Sequence, residues 1–338
     1  MILPISEYAY TFYKNINTPT HSLVITTDAS LLGWGAVYNE QSTGGRWTQQ
    51  ESNCHINELE LQAVYFGLRS FFTEISDTHI RVRSDNMTTV TYINNLGGVK
   101  SIKCHKIVKN IWCWAISKGI HLSAEFLPGS ENTLADSASR IFDENTEWSL
   151  LSPIYYQLKE YYGHFSIDLF ASRLNSKNEV YASWKPDPSA HFVDAFSRNW
   201  NNFHKFYAFP PFSVILKCLH KILVEEARGI LVVPLWTTQP WFPKLMGMLT
   251  CTPLVLPVNA LHLPYQENLM HKQSKSLRLI ACQVSGIFLE TEAFRNTLLT
   301  SYVPLGDHPH VNSTKSILES GCLSVVSNKR IPFVIMKL

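Results

Sequence analysis

The chain has 338 residues, of which 45% are hydrophobic and 17% charged, with a formal net charge of +2. This is the composition of a globular protein long enough for two domains, and it is too mildly basic to establish nucleic-acid binding by itself. The seven cysteines form no C-x-x-C pair, so we expect reduced thiols. The most apolar run, Ile230 to Trp236, is too short to span a membrane. These features exclude secretion and membrane insertion, and we expect an intracellular protein of the cytoplasm or nucleus.

The first part of the chain predicts a mixed α/β sheet with helices packed against it. In chain order, strands are expected at 22–28, 33–39, 46–48, 80–85 and 120–126, and helices at 57–72, 86–95, 102–117 and 132–141. Asn57 is a good candidate for the cap of the first helix, with Glu60 completing a capping box. Within this helix, apolar residues at helical spacing predict a core stripe of Leu61, Val64, Leu68 and Phe72.

Four acidic residues occupy matching positions in these elements. Asp28 and Asp85 end strands, whereas Glu60 and Asp136 lie near the starts of helices. Each has a simpler reading by itself: a turn or cap for Asp28, a charge favoured by the helix dipole for Glu60, and a solvated first-turn residue for Asp136.

If the two strands are neighbours, the four carboxylates can meet at one edge of the sheet. They would then need cations to remain ionised together. Oxygen ligands of this kind suit Mg²⁺ or Mn²⁺, and two such ions hold the attacking water and the leaving oxygen of a phosphodiester.

Residues 21–142 also resemble a ribonuclease H domain. The resemblance lies in Thr27-Asp28-Ala29-Ser30 with Gly33-Trp34-Gly35-Ala36, in Glu60-Leu61-Gln62-Ala63-Val64, in Ser84-Asp85-Asn86, and in the run from Pro128 to Arg140. That last run is similar to the L-P-G-x-x-N-x-x-A-D-x-x-S-R pattern of retrotransposon ribonuclease H domains. Because the glutamate of the family is followed by Leu-x-Ala, Glu60 is assigned rather than Glu58.

The resemblance implies that Asp28, Glu60, Asp85 and Asp136 bind two Mg²⁺ or Mn²⁺ ions and hydrolyse the RNA strand of an RNA–DNA hybrid. It also implies a reverse transcriptase polymerase domain upstream in a polyprotein, with residues 1–20 as the lead-in from it. Many cellular members have a histidine in the loop before the last aspartate. Here that loop reads Gly129-Ser130-Glu131-Asn132, so this helper in product release is missing or replaced.

Residues 143–295 predict a second α/β domain with a doubly wound, Rossmann-like sheet, whose ligand would lie at the carboxyl ends of the strands. This half resembles the adenine-methyltransferase-like domain that follows ribonuclease H in DIRS-like retrotransposon polyproteins. The shared pieces are Asp168-Leu169-Phe170-Ala171-Ser172, Asp194-Ala195-Phe196 with Trp200, Phe209-Pro210-Pro211-Phe212, and Pro234-Leu235-Trp236 with Gln239-Pro240-Trp241-Phe242. Residues 296–338 match nothing and remain an unassigned tail.

The second resemblance implies S-adenosylmethionine binding at Asp168 and a base pocket at Phe209, Pro210, Pro211 and Phe212. Enzymes of the family hold the target amino group with an Asn or Asp at the first position of that pocket motif. A phenyl ring cannot accept this hydrogen bond, and no glycine-rich turn follows Asp168. We therefore expect no methyl transfer.

Two functions are open at this point. The first is an active retroelement ribonuclease H, and the second is a non-catalytic nucleic-acid-binding remnant of a retrotransposon. The complete set of four acidic residues favours the first.

Overall fold

The computed structural model of the protein describes residues 22–142, 147–265, 277–300 and 323–337, so the predicted lead-in at 1–20 lies outside the described residues. The chain divides into two compact units. The first comprises Met1–Asp143 with Lys185–Ala190, and the second comprises Glu144–Trp184 with His191–Leu338. Within the described residues, no helix has the length and apolar character needed to cross a membrane. The six cysteines in these ranges are free, as expected.

In its described residues, the first unit is a five-stranded sheet with four α-helices. Its strands are β1 (Ser22–Ala29), β2 (Gly33–Tyr38), β3 (Gln41–Arg46), β4 (His79–Ser84) and β5 (His121–Phe126). Its helices are α1 (Ile56–Phe71), α2 (Met87–Asn94), α3 (Ile102–Ser117) and α4 (Thr133–Arg140). The order of elements agrees with the prediction, although β3 ends at Arg46, where the sequence placed its start.

The strand order is β3-β2-β1-β4-β5, with β1 antiparallel to β2 and parallel to β4. In the β1–β4 register, Thr26 pairs with Arg83. Continuing this register by two residues brings Asp28 level with Asp85. The sheet therefore places Asp28, at the end of β1, beside Asp85, which follows β4.

Helix α1 packs its apolar stripe into the core as predicted, because Leu61, Val64, Leu68 and Phe72 are all fully buried. The predicted capping box is wrong. The cap is His55, whose ring nitrogen Nδ1 accepts the backbone N–H of Asn57 at 3.2 Å.

Asn57 instead accepts a side-chain hydrogen bond from Asn86 through its Oδ1, at 3.0 Å. Glu60 lies inside the helix and accepts the backbone N–H of Ala29. A glutamate turned toward β1 cannot reach back to its own helix end, so Glu60 is available to the sheet edge.

Helix α4 lies very close to strands β2 and β3. A Cβ added to Gly35 would lie 2.2 Å from the carbonyl oxygen of Ala135, and one added to Gly44 would lie 2.6 Å from that of Ala138. Gly35 and Gly44 are cross-strand partners, so together they form a patch of sheet without side chains on which α4 packs. Any larger residue would push α4 off the sheet.

The second unit contains a six-stranded sheet. Its elements from residue 147 to 208 are β6 (Ser149–Leu150), α5 (Ser152–Tyr162), β7 (Ile167–Asp168), β8 (Ala182–Ser183), β9 (Phe192–Val193) and β10 (Phe206–Ala208). Those that follow are α6 (Ile215–Val224), β11 (Arg228–Pro234), α7 (Phe242–Gly247), β12 (Leu254–Val255), β13 (Leu261–His262), β14 (Leu279–Ser285), α8 (Phe288–Thr297), β15 (Leu323–Val326), β16 (Lys329–Pro332) and β17 (Val334–Ile335).

The order of this sheet is β17-β12-β14-β11-β10-β7. Strands β7, β10 and β11 are parallel, but β14 is antiparallel to both β11 and β12. The sheet is therefore mixed, whereas the sequence predicted a doubly wound, Rossmann-like sheet. The difference arises because β14, from residue 279 onward, inserts between β11 and β12.

The unassigned tail contributes to this second unit. Strand β17 pairs with β12 in parallel, and the side chains of Ile331 and Phe333 are buried in the core. At least residues 329–336 are therefore part of the fold.

Candidate metal centre

Three acidic side chains meet at the edge of the first sheet. Asp28 comes from the end of β1, Asp85 follows β4, and Glu60 lies in the second turn of α1. One carboxylate oxygen from each lies within 4.8 Å of the other two. Asp28 and Glu60 are each 4% exposed, whereas Asp85 is partly open to solvent. We call this group the carboxylate pocket.

Burial and mutual repulsion make the carboxylate pocket costly to ionise. Burial is the largest cause that raises the pKa of Asp28, and the nearby charges of Asp85 and Asp136 add to it. Burial likewise raises the pKa of Glu60 to about 8, with further contributions from Asp28 and Asp85. A bound cation would relieve both effects, since it replaces the lost solvation and offsets the repulsion between the carboxylates.

The carboxylate pocket fits a divalent cation. Glu60 Oε2 is buried and has no hydrogen-bond partner among the described residues. An unpartnered buried carboxylate oxygen is unfavourable unless it has a ligand. Oxygen donors with no thiolate or imidazole among them suit the hard ions Mg²⁺ and Mn²⁺.

Two residues of the last helix and its approach hold Asp28, and the sequence reasoning assigned neither a role. The Ser139 hydroxyl donates to Asp28 Oδ2 at 2.7 Å, and Ser139 is fully buried. Asn132 is 1% exposed and donates through Nδ2 to the carbonyl oxygen of Thr27 at 3.2 Å and to Asp28 Oδ1 at 3.5 Å. Both residues fall within the run from Pro128 to Arg140, so the resemblance of that run was the signal available.

Asp136 stands apart from the other three predicted ligands. Its side chain is 43% exposed, and its Oδ1 accepts the Nε–H of Arg140 at 2.7 Å. It is near enough to Asp28 to raise the pKa of that residue, but it is not among the three residues whose oxygens converge. Glu58 is also outside the pocket, because its carboxylate lies 3.7 Å from the ammonium of Lys103.

The candidate residues of the second unit lie at neighbouring strand ends, since Asp168 ends β7 and Phe209 follows β10. Asp168 is buried, and its two carboxylate oxygens accept the backbone N–H groups of Phe170 at 3.3 Å and Lys177 at 3.1 Å. Burial raises the pKa of Asp168 to about 6.

The four predicted base-pocket residues differ in exposure. Pro210 is buried, Pro211 is exposed, and Phe209 and Phe212 are half-buried. The ring of Phe212 contacts that of Trp236, with centroids 5.2 Å apart. The group is thus largely an apolar cluster at the end of β10.

Comparison with protein families matches residues 18–109 to the RNase H-like domain found in reverse transcriptase. The first unit contains an RNase H-like domain of the reverse transcriptase type. The matched segment of this RNase H-like domain includes the three residues of the carboxylate pocket, and Asp136 lies beyond it.

Similar proteins are viral and transposon polyproteins. The chain is 29% identical over 157 residues to the enzymatic polyprotein of Figwort mosaic virus, covering 41% of this chain and 23% of the relative. It is also 29% identical over 126 residues to the retrovirus-related Pol polyprotein from transposon 412 of Drosophila melanogaster, covering 35% of this chain and 10% of the relative. The chain thus spans about a quarter or less of the length of these relatives.

Solved structures similar to the RNase H-like domain include RNase H1 from Halobacterium salinarum, with 15% identity and a TM-score of 0.29, covering 35% of this chain and 94% of that one. LC11-RNase H1, solved in complex with an RNA/DNA hybrid, has 20% identity and a TM-score of 0.27, covering 35% of this chain and 93% of that one. The assignment of the fold rests on the strand order described above.

Proposed function

We propose that this protein is a retrotransposon ribonuclease H that hydrolyses the RNA strand of RNA–DNA hybrids in a metal-dependent reaction. The observation that carries the proposal is the convergence of Asp28, Glu60 and Asp85 from three separate elements. The match of the surrounding segment to the reverse transcriptase RNase H-like domain supports the same reaction. In this proposal the chain is part of a DIRS-like reverse transcriptase polyprotein with a polymerase domain upstream.

The roles of the residues follow from their positions. Asp28, Glu60 and Asp85 would hold Mg²⁺ or Mn²⁺, and Asp136 would join them after leaving its ion pair with Arg140. When bound, a pair of such ions activates water as a nucleophile and stabilises charge on the leaving oxygen. Ser139 keeps one oxygen of Asp28 occupied and so fixes the direction in which the other points. The ribose 2′-hydroxyl is the group by which the protein would distinguish RNA from DNA.

The test is cleavage of an end-labelled RNA–DNA hybrid by the full chain in Mg²⁺ or Mn²⁺. Asp85→Asn and Glu60→Gln keep the shape of the side chain but remove the charge, and we expect each to slow cleavage by about 10³-fold or more. Glu74→Gln, at an exposed glutamate of the same unit, is the matched control and should cleave like the parent.

Cleavage by Asp85→Asn at the parental rate, or a preference for duplex DNA, would overturn the proposal. Hybrid binding by the parent without cleavage in either metal would favour the alternative, a non-catalytic nucleic-acid-binding remnant.

For the second unit we propose an adenine-methyltransferase-like ancestry without methyl transfer. The two oxygens of Asp168 are already taken by backbone N–H groups, which leaves it poorly placed to bind S-adenosylmethionine. Phe209 offers no acceptor for a target amino group. Incubation of the full chain with radiolabelled S-adenosylmethionine and DNA should therefore transfer no label. Transfer that Asp168→Ala abolishes would show that the site is active.

A further inference from the structure

A concentration of positive charge in the first unit lies on α3 and the residues before it. Between Asp85 and Glu125 the sequence contains five lysines and no acidic residue. Lys118 donates to the carbonyl oxygen of Thr73 at 2.5 Å. The other four are exposed, and we call them the lysine face: Lys100, Lys103, Lys106 and Lys109.

The lysine face points away from the core. Each step of three residues along an α-helix rotates by about 60° less than a full turn. The side chains of Lys103, Lys106 and Lys109 therefore span an arc of about 120° and about 9 Å of helix length. The buried face of α3 is on the opposite side and consists of Cys104, Val108, Ile111, Trp112 and Ala115. Packing within the unit therefore does not explain the lysines.

Helix electrostatics does not explain the lysines either. Lys103 and Lys106 lie in the N-terminal half of α3, where the helix dipole disfavours positive charge, and lysines at i,i+3 spacing repel each other. Helix α4 shows the favourable arrangement, with Asp136 in its first turn and Arg140 in its last.

Within the described residues, only Lys103 of the lysine face forms an ion pair, with Glu58 at 3.7 Å. The Lys103 side chain in that pair is 72% exposed, so the pair stabilises the fold little. The sequence thus accepts repulsion on this helix, which is typical of a surface selected for binding.

The lysine face is linked to the strand end that carries Asp85 through the start of α1. Glu58, the partner of Lys103, precedes Glu60 by two residues in α1. Next to Glu58, Asn57 accepts a hydrogen bond from Asn86, which directly follows Asp85. Two consecutive residues of α1 therefore contact the lysine face and the residue after Asp85.

We propose that the lysine face binds the sugar–phosphate backbone of the nucleic-acid duplex on which the carboxylate pocket acts. This inference rests on the proposed function and adds the surface that holds the substrate. Ammonium groups on flexible side chains neutralise phosphates without reading bases, so the binding is independent of sequence and sensitive to salt.

The experiment measures binding of a fluorescent RNA–DNA hybrid to the full chain over a series of KCl concentrations. The parent carries Asp85→Asn to prevent cleavage. The test variant adds Lys103→Gln, Lys106→Gln and Lys109→Gln. The control adds Lys159→Gln, Lys217→Gln and Lys337→Gln, which make the same change of net charge in the second unit.

We expect the test variant to bind at least about tenfold more weakly at 0.1 M KCl. The slope of log K against log salt should become shallower by about 2 to 3, since each lost phosphate contact accounts for about 0.7 to 0.9. The control should match the parent. The urea midpoint of the test variant should equal or exceed that of the parent, because lysine repulsion has been removed. With Asp85 intact, the same three substitutions should raise KM for cleavage and leave kcat unchanged.

Three outcomes would overturn this inference: an unchanged salt slope, an equal loss of binding in the control, or a fall in the urea midpoint of the test variant that accounts for weaker binding. Cleavage of the hybrid by the unsubstituted chain separates the two proposals. If that chain cleaves the hybrid but the lysine substitutions change neither binding nor KM, the inference fails and the proposed function stands.

Discussion

At the scale of single residues, Glu60 is the clearest sign that the carboxylate pocket is designed around charge. It is a buried glutamate whose pKa is raised to about 8, and one of its oxygens has no partner in the described structure. Such a residue destabilises the fold when ionised, so its presence in a well-packed unit supports the proposal that a cation binds there.

This gives a pH dependence with a definite sign. The ordinary pKa of glutamate is 4.5, so between about 4.5 and 8 the folded, metal-free protein binds more protons at Glu60 than the unfolded chain does. The free energy of unfolding in EDTA should therefore fall as pH rises through this window. Asp28, whose pKa is also raised, contributes in the same direction.

Urea unfolding in EDTA across pH 5 to 8.5 measures the effect, and Glu60→Gln should flatten the profile. Glu74→Gln is the control because its side chain is exposed. A profile in which Glu60→Gln changes nothing would show that Glu60 is not the group responsible. Saturating Mn²⁺ should reduce the slope in the parent, since metal binding requires the ionised carboxylate.

At the scale of elements, α4 acts as the support of Asp28. It reaches the sheet over Gly35 and Gly44, and from there Ser139 donates its hydroxyl to Asp28 Oδ2. The Ser139 carbonyl oxygen in turn accepts the Ser30 hydroxyl at 2.7 Å, which ties the helix to the turn after β1. Asp28 is thus held by an element more than a hundred residues away in sequence.

Ser139→Ala removes this support with little change of volume. We expect Mn²⁺ affinity, measured by calorimetry without substrate, to fall about tenfold, because groups that orient metal ligands typically account for 10- to 100-fold. The free energy of unfolding should fall by about 1.5 to 3 kcal/mol, the usual contribution of a hydrogen bond to a charged group. Ser137→Ala, an exposed serine of the same helix, is the control. Equal metal affinity in the two variants would show that α4 does not orient Asp28.

The elements of the first unit could be predicted because the apolar periods are regular and the strand ends carry acids. The helix cap could not, because His55 and Asn57 are both polar and only the hydrogen bond from Asn86 to Asn57 distinguishes them. The support from Ser139 was also missed. A serine in a helix is ordinarily solvated, and nothing local indicates that this one is buried under Gly35.

At the scale of the whole molecule, the second unit shows which parts of a fold local sequence patterns can predict. The sequence predicted a ligand site at the carboxyl ends of the strands, and the β7–β10 pairing places Asp168 and Phe209 at neighbouring strand ends. It did not place β14, since an antiparallel strand that arrives late in the chain has the same apolar pattern as a parallel one. The pairing of β17 with β12 was equally inaccessible, because two-residue strands carry no period.

The packing of α4 on β2 also sets the order in which the elements of the first unit come together during synthesis. Strands β1 to β3 are joined by short turns and can pair soon after synthesis, whereas Gly35 and Ala135 are about a hundred residues apart. At about 5 to 20 residues per second, the ribosome needs roughly 5 to 20 s to make the intervening segment. During that interval Asp28 lies at the end of an incomplete sheet and lacks the hydrogen bond from Ser139. The carboxylate pocket is therefore completed last, when α4 has emerged.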